Sequence, residues 1–328
     1  MFHPEEVIFA PTGQCNLACA HCRVSRPAAR LELAPALAFL DGCLEIGVDR
    51  VGFSGGEPFL EPDFLVGLCR GAVDRGMIFD RLMTNAVWWR DLPALEAVLG
   101  RLFEAGFDGQ FGLSIDSWHD QDEEKLLGFI EAAFRIWSRR DIVDILSVQA
   151  PDEGPGLARL EAIARRFGGV LEIEGGEPLA IIDHSHDSRL AEGEDVAEAL
   201  GMDIFRFPYS ASAAEGAWGA KDWFVDDHCE GPGNVLYVHP DSRVAACCGF
   251  ANEAESLILG RLGVDSPAAM LARAASMPHI KACYGEGLGE LRSRLEAQGL
   301  VFPGKTGDQC FFCDWLCVQG HIPGVPKA

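Results

Sequence analysis

The chain contains no apolar run near the ~20 residues that a membrane-spanning helix requires. Its first ten residues, MFHPEEVIFA, also lack the basic flank and extended apolar stretch of a secretion signal. Both absences point to the cytoplasm. Basic residues are scarce as well: 27 Lys and Arg stand against 50 Asp and Glu, a formal net charge of −23. Such a balance disfavours phosphate backbones and anionic lipid, so neither nucleic acid nor membrane is an expected partner, local basic grooves aside. No long tandem repeat and no low-complexity linker interrupts the 328 residues, a length that allows one large α/β domain and a smaller appendage. Cysteine, by contrast, is plentiful. In a reducing compartment, 12 cysteines point first to metal ligation and only then to disulfides.

Apolar runs alternate with segments of helical spacing through the first two thirds of the chain. The pattern predicts strands at Val7–Pro11, Arg50–Ser54, Asp80–Thr84, Gly109–Ile115, Ile142–Val148 and Val170–Ile173. Helices are predicted at Ala34–Glu45, Pro62–Arg75, Leu92–Ala105, Glu123–Trp137 and Gly156–Phe167. Repeated β-then-α order implies a parallel sheet, open or curled into a barrel, with ligands at the carboxyl ends of its strands. The rhythm then fades. His184–Asp195 reads as a polar loop, Ile204–Pro208 as one further short strand, and Tyr209–Gly219 as the approach to a domain boundary. Beyond it, a Pro-Asp-Ser turn between two apolar runs predicts a hairpin at Asn234–Ala246.

Directly after the first predicted strand comes CNLACAHC, which places Cys15, Cys19 and Cys22 at C-x3-C-x2-C spacing. A loop can wrap three such thiolates around one face of an iron–sulfur cluster, leaving one iron open. A structural zinc site is the plain alternative. At the end of the next strand stands Gly55-Gly56-Glu57-Pro58. The same GGEP recurs at Gly175–Pro178, after a late strand and without a cysteine loop beside it. That second copy reads as a strand-end turn, from which Glu177 could still reach the mouth of the sheet.

In cysteine spacing, order and strand placement the chain resembles the radical S-adenosylmethionine (SAM) superfamily. The resemblance implies a partial (β/α)6 TIM-like barrel over residues 1–218. It also implies a [4Fe–4S] cluster on Cys15, Cys19 and Cys22 whose open iron is chelated by SAM. Gly55, Gly56, Glu57 and Pro58 would then contact the SAM amino group, with Gly56 bare so that its backbone can approach the cofactor. Thr84, Asn85, Ser114 and Asp116, at the next two strand ends, would hold the SAM carboxylate and ribose; capping or turn formation is the plain reading of each. His21 stands where such chains often place an aromatic residue near the adenine. It is either a stacking group or an ordinary loop histidine.

The second half carries another resemblance. Cys229, Cys247 and the Cys310-x-x-Cys313 pair are laid out as in the SPASM or twitch domains appended to many radical SAM enzymes, although Ser242 replaces a usual glycine. This implies a small α+β domain over residues 219–328 with one auxiliary [4Fe–4S] cluster, zinc being the alternative. Cys248, Cys283 and Cys317 are left as substitutes or spectators, and Cys43 and Cys69, on apolar helix faces, as buried thiols. The implied activity is reductive SAM cleavage and hydrogen abstraction, fed by a low-potential donor such as flavodoxin or ferredoxin. Oxidative modification of a ribosomal peptide ranks ahead of oxidation of a small aminosugar-type metabolite. The first strand starts within ten residues of Met1, which argues against a fused peptide-recognition domain but allows a separate leader-binding partner. A degenerate iron–sulfur scaffold or electron carrier is the non-enzyme alternative.

Overall fold

A computed structural model describes residues 2–150, 152–183, 200–207, 217–225, 229 and 233–322. The predicted loop at His184–Asp195 and most of Tyr209–Gly219 lie outside the described residues. Five β-then-α units form where the apolar alternation places them. They comprise β1 (Glu6–Phe9), α1 (Leu33–Glu45), β2 (Arg50–Phe53), α2 (Pro62–Asp74), β3 (Ile78–Thr84), α3 (Leu92–Glu104), β4 (Gln110–Ser114), α4 (Glu123–Trp137), β5 (Val143–Val148) and α5 (Gly154–Phe167). Helix starts follow the local chemistry. The Asp91 and Asp122 side chains accept from the amides of Ala94 and Lys125, both at 3.0 Å, and so satisfy donors that the first turn leaves open. Gly168, at φ 77°, ends α5 in the left-handed conformation.

Strands β1 to β5 pair in parallel and in order. Alternate residues such as Val7, Phe9, Val51 and Phe53 are fully buried, and Phe111 packs edge-on against Phe129 and Trp137 from α4. The sixth parallel strand differs from expectation. The place beside β5 is taken by β8 (Gly201–Phe207), which contains most of the Ile204–Pro208 run. Val170–Ile173 does form β6 (Gly169–Glu174), but it pairs antiparallel with β7 (Glu177–Asp183) at the sheet edge. The cause is the second GGEP: Gly175 and Gly176 have φ of 60° and 94°, the pair of positive values that a two-residue type I′ hairpin turn needs.

At the other edge the predicted hairpin is present as β9 (Gly233–Val238) and β10 (Arg243–Cys247), followed by β11 (Ile258–Arg261). β9 pairs in parallel with β1, so one open sheet runs β11-β10-β9-β1-β2-β3-β4-β5-β8-β7-β6. Ser242 sits in the hairpin turn at φ 72°, a left-handed position that explains a preference for glycine there. Helices α6 (Pro267–Ala274), α7 (Pro278–Lys281), α8 (Leu288–Ala297) and α9 (Gln309–Gln319) complete the C-terminal third. Trp218, Trp223 and Phe302 meet α9 through Trp315 and Phe312, with ring centroids 5.2–5.9 Å apart.

Candidate metal centres at the strand ends

The stem of the cysteine loop is fastened before its first thiol appears. Ser54 N donates to Phe9 O at 3.0 Å, Gly56 N to Thr12 O at 2.9 Å and Glu57 N to Gln14 O at 2.8 Å. The loop after β1 and the GGEP turn after β2 are thus bonded backbone to backbone. A Cβ on Gly56 would lie 2.1 Å from Gln14 O and 2.6 Å from Gly13 O. The chain itself therefore requires glycine here, separately from the close approach of a cofactor expected from the sequence. Gly55, at φ 115°, needs glycine for its conformation as well.

Glu57 is wholly buried, and its carboxylate clamps the turn to the end of β3. Oε1 accepts from Phe59 N at 3.2 Å and Thr84 Oγ1 at 2.9 Å, and Oε2 accepts from Asn85 N at 2.8 Å. Burial pushes this carboxyl up to about 7, against the pull of the Asn85, Phe59 and Thr84 donors. Asn85 in turn reaches the cysteine loop, its Nδ2 lying 2.8 Å from Asn16 Oδ1 and 3.6 Å from Cys15 Sγ. Cys15 and Cys19 are half-buried, Cys22 is exposed, and all three are free thiols. That donor set, three thiols on one short loop, fits an iron–sulfur cluster with one open iron.

The next strand end adds a second group of side chains. Asp116 Oδ1 accepts from Trp118 N at 2.7 Å and sits 2.8 Å from His119 Nδ1; Oδ2 accepts from Val148 N at 3.1 Å. Burial pushes the Asp116 carboxyl up, but His119 and the amides of Val148 and Trp118 outweigh it and hold it below the usual value. Burial likewise opposes the charged form of His119, yet its hydrogen bonds to Asp116 and Cys19 push it up to about 9. His21 packs edge-on against the His119 ring at 4.9 Å, and its Nδ1 is buried with no partner among the described residues. Ser114 contributes its carbonyl to Gln121 Nε2 at 2.8 Å. His119, Asn16 and Gln121 were missed in the sequence. Their one signal is position, just past the first strand and the fourth.

A small cavity lies beside the hairpin, lined by Cys229, Cys247, Cys283, Cys310 and Cys313 together with apolar groups such as Leu257 and Leu288. Cys229 precedes β9 and Cys247 ends β10, so the hairpin presents both at one end, as expected. Cys310 and Cys313 stand in the first two turns of helix α9, capped by Asp308, where a CxxC turn was expected. Three-residue spacing puts both on one helix face. Cys283, read as a substitute or a spectator, is a fifth wall thiol, and its carbonyl accepts from Cys229 N at 3.1 Å. Burial pushes the Cys229 thiol up to about 11, and burial plus neighbouring Cys248, Cys229, Cys313 and Cys310 raises Cys247 as well. What suits a metal centre is the convergence of five cysteines on one cavity wall. Cys43 and Cys69 are buried in α1 and α2, away from both sites.

Arg23, next to Cys22, joins the two regions: it ion-pairs with Asp314 of α9, and its guanidinium lies 4.9 Å over the ring of Phe250, another cavity residue.

No protein-family model matches the chain. It is 37% identical over 111 residues to the PqqA peptide cyclase of Gluconobacter oxydans, covering 32% of this chain and 28% of that one. It is also 37% identical over 109 residues to a probable GTP 3′,8-cyclase of Methanopyrus kandleri, 32% of each chain. The matches thus span about a third of the length of these relatives. Streptococcus suis SuiB bound to its precursor peptide SuiA aligns over 94% of this chain and 76% of its own, at 12% identity and a TM-score of 0.44. Taken with the cysteine loop and the glycine turn it is bonded to, the sequence matches agree with this chain's resemblance to the radical SAM superfamily.

Proposed function

We propose that the chain is a radical SAM enzyme that modifies a ribosomal peptide by oxidation. Cys15, Cys19 and Cys22 hold a [4Fe–4S] cluster, and the loop and strand ends beside it, with Gly55–Pro58, Thr84, Asn85, Ser114, Asp116 and His21, receive SAM. A cluster and SAM bound there would supply a 5′-deoxyadenosyl radical able to abstract a substrate hydrogen. The chain's own residues do the positioning. Glu57 fixes the turn to β3, Asn85 reaches Cys15, and the Asp116–His119 pair holds the far wall against Cys19. The observation that carries the proposal is the backbone pairing of the cysteine-loop stem with the GGEP turn at 2.8–2.9 Å.

A second [4Fe–4S] cluster belongs in the hairpin cavity, on Cys229, Cys247, Cys310 and Cys313. Functionally the chain divides at residues 218 and 219, the barrel making the radical and the remainder carrying the second centre. The name of the Gluconobacter relative, a peptide cyclase, favours a peptide substrate. A cytoplasmic setting and a low-potential donor such as flavodoxin or ferredoxin complete the proposal. Anaerobically reconstituted protein should release 5′-deoxyadenosine from SAM and dithionite. Changing Cys15, Cys19 and Cys22 together to Ala should remove about four irons per chain and all of that product. Undiminished cleavage by the folded triple variant overturns the assignment. A short precursor peptide encoded beside this chain should change mass on incubation with the wild type; an unchanged mass would count against the peptide.

A further inference from the structure

Behind the cysteine-lined cavity stands His279, in the short helix α7 and entirely shielded from solvent at 0% exposure. Its Nε2 lies 3.2 Å from Cys313 Sγ, and its Nδ1 lies 2.8 Å from Ser256 Oγ. Ser256 belongs to the 3-10 turn Glu255–Leu257, and Leu257 from that turn lines the cavity. Ser256, half-buried, and the buried His279 and Cys313 therefore form an unbroken line ending at a cavity thiol.

We propose that this line is a hydrogen-bond relay that raises the reduction potential of the second cluster, an inference that rests on the second-cluster proposal above. A sulfur bound to iron carries no proton and can only accept, so a ring nitrogen 3.2 Å away must be the donor. The tautomer is then fixed. Nε2 bears the hydrogen, and Nδ1 accepts from the Ser256 hydroxyl, as outer groups commonly orient metal-site histidines. Reduction adds one electron to the cluster and moves no proton along the relay. A donor aimed at a ligand sulfur stabilises the more negative, reduced state more than the oxidised one, and burial strengthens the effect. Cys317 Sγ lies 3.9 Å from both ring nitrogens, equidistant from them, and is also hydrogen-bonded to Cys313. His279, Cys313 and Cys317 also offer ligand atoms within 4.8 Å of one another, so direct metal binding by His279 is the competing outcome.

The test is a redox titration of the reconstituted protein followed by electron paramagnetic resonance, alongside iron and zinc analysis. His279→Phe should keep about eight irons, by the stoichiometry of two four-iron clusters. Its second cluster should shift to lower potential by about 59 mV, a tenfold change in the reduced-to-oxidised ratio for one electron. The SAM-binding cluster should titrate as in the wild type. Ser256→Ala, a milder change, should move the second cluster the same way by less, and His279→Gln, which restores an N–H donor, should recover much of the loss. An unmoved potential with all iron retained overturns the relay while leaving the second cluster in place. Loss of iron or zinc in His279→Phe and His279→Gln, with Ser256→Ala silent, makes His279 a ligand and also overturns it. Wild-type protein with only about four irons, or with zinc at this site, removes the cluster itself and so fails the earlier proposal.

Discussion

Glu6 opens β1 at the end of the strand remote from the cysteine loop, and Gly52 beside it makes room, since a Cβ there would lie 2.1 Å from Glu6 Oε1. Its carboxyl is pushed up from 4.5 to about 8. Burial is the main cause, and Asp80 adds to it by charge and by a hydrogen bond, while Arg81 and Arg50 pull the other way. The folded state therefore holds this proton more tightly than the unfolded chain does. Stability from this group is fully present below 4.5 and is lost as pH rises through about 8. Wild-type stability should fall across that window by an amount on the order of a few kcal/mol. Glu6→Gln, which cannot ionise, should be more stable than the wild type near pH 9, with a flatter profile between about pH 5 and pH 9. Urea unfolding of both proteins at those two pH values checks this; parallel profiles would show that Glu6 titrates normally.

At the scale of elements, the two GGEP turns use the same four residues for different reasons. In the first, Gly56 is packed against the carbonyls of Gly13 and Gln14. In the second, a Cβ on Gly176 would meet nothing within 4 Å, and only its φ of 94° asks for glycine. Gly56→Val should therefore separate the turn from the cysteine loop and abolish SAM binding. Gly176→Val should bind SAM as the wild type does while losing about 1–2 kcal/mol of stability to the left-handed backbone. Equal loss of SAM affinity in two folded variants would contradict this asymmetry. Glu177 of the second turn pairs with Arg206 at 3.1 Å on the late strands. The turn chemistry was legible beforehand, and so were β1 to β5 and their helices, because each apolar run is short, bounded and followed by helical spacing. Strand direction was not. An apolar run such as Val170–Ile173 reads the same in a parallel strand and in an antiparallel hairpin arm, and Pro178 hid β7. The two cysteine sets were legible from spacing, whereas His279, His119 and Cys283 reach their sites only through tertiary packing. Their neighbours in sequence carry no sign of it.

At the scale of the whole molecule, β1 is the seam between the two proposed functional regions. Glu6 to Phe9 pair with Arg50 to Phe53 on one side and with Val235 to Val238 on the other. The seam is reinforced beyond the sheet: Ala10 N donates to Val238 O at 2.9 Å, Phe2 packs on Tyr284 at 5.2 Å, and Arg23 engages Asp314 and Phe250. A division of labour at residues 218 and 219 is therefore laid over one continuous sheet. Ending the chain at Trp218 would remove β9 and leave one side of β1 without hydrogen-bond partners, and such an unpaired edge invites association with other chains. It would also remove Asp314 and Phe250, which Arg23, one residue from Cys22, engages. Residues 1–218 alone should accordingly aggregate or unfold without cooperativity, and should fail to hold the first cluster even though all three of its proposed ligands are present. The contrast is Cys310→Ala/Cys313→Ala in the full chain. With the sheet intact, that variant should lose about half the iron and still cleave SAM. Sedimentation, urea unfolding and iron analysis of the truncated chain decide the point. A monomeric, cooperatively unfolding fragment that cleaves SAM would show that the barrel stands alone, and that β9 adds the second centre without supporting the first.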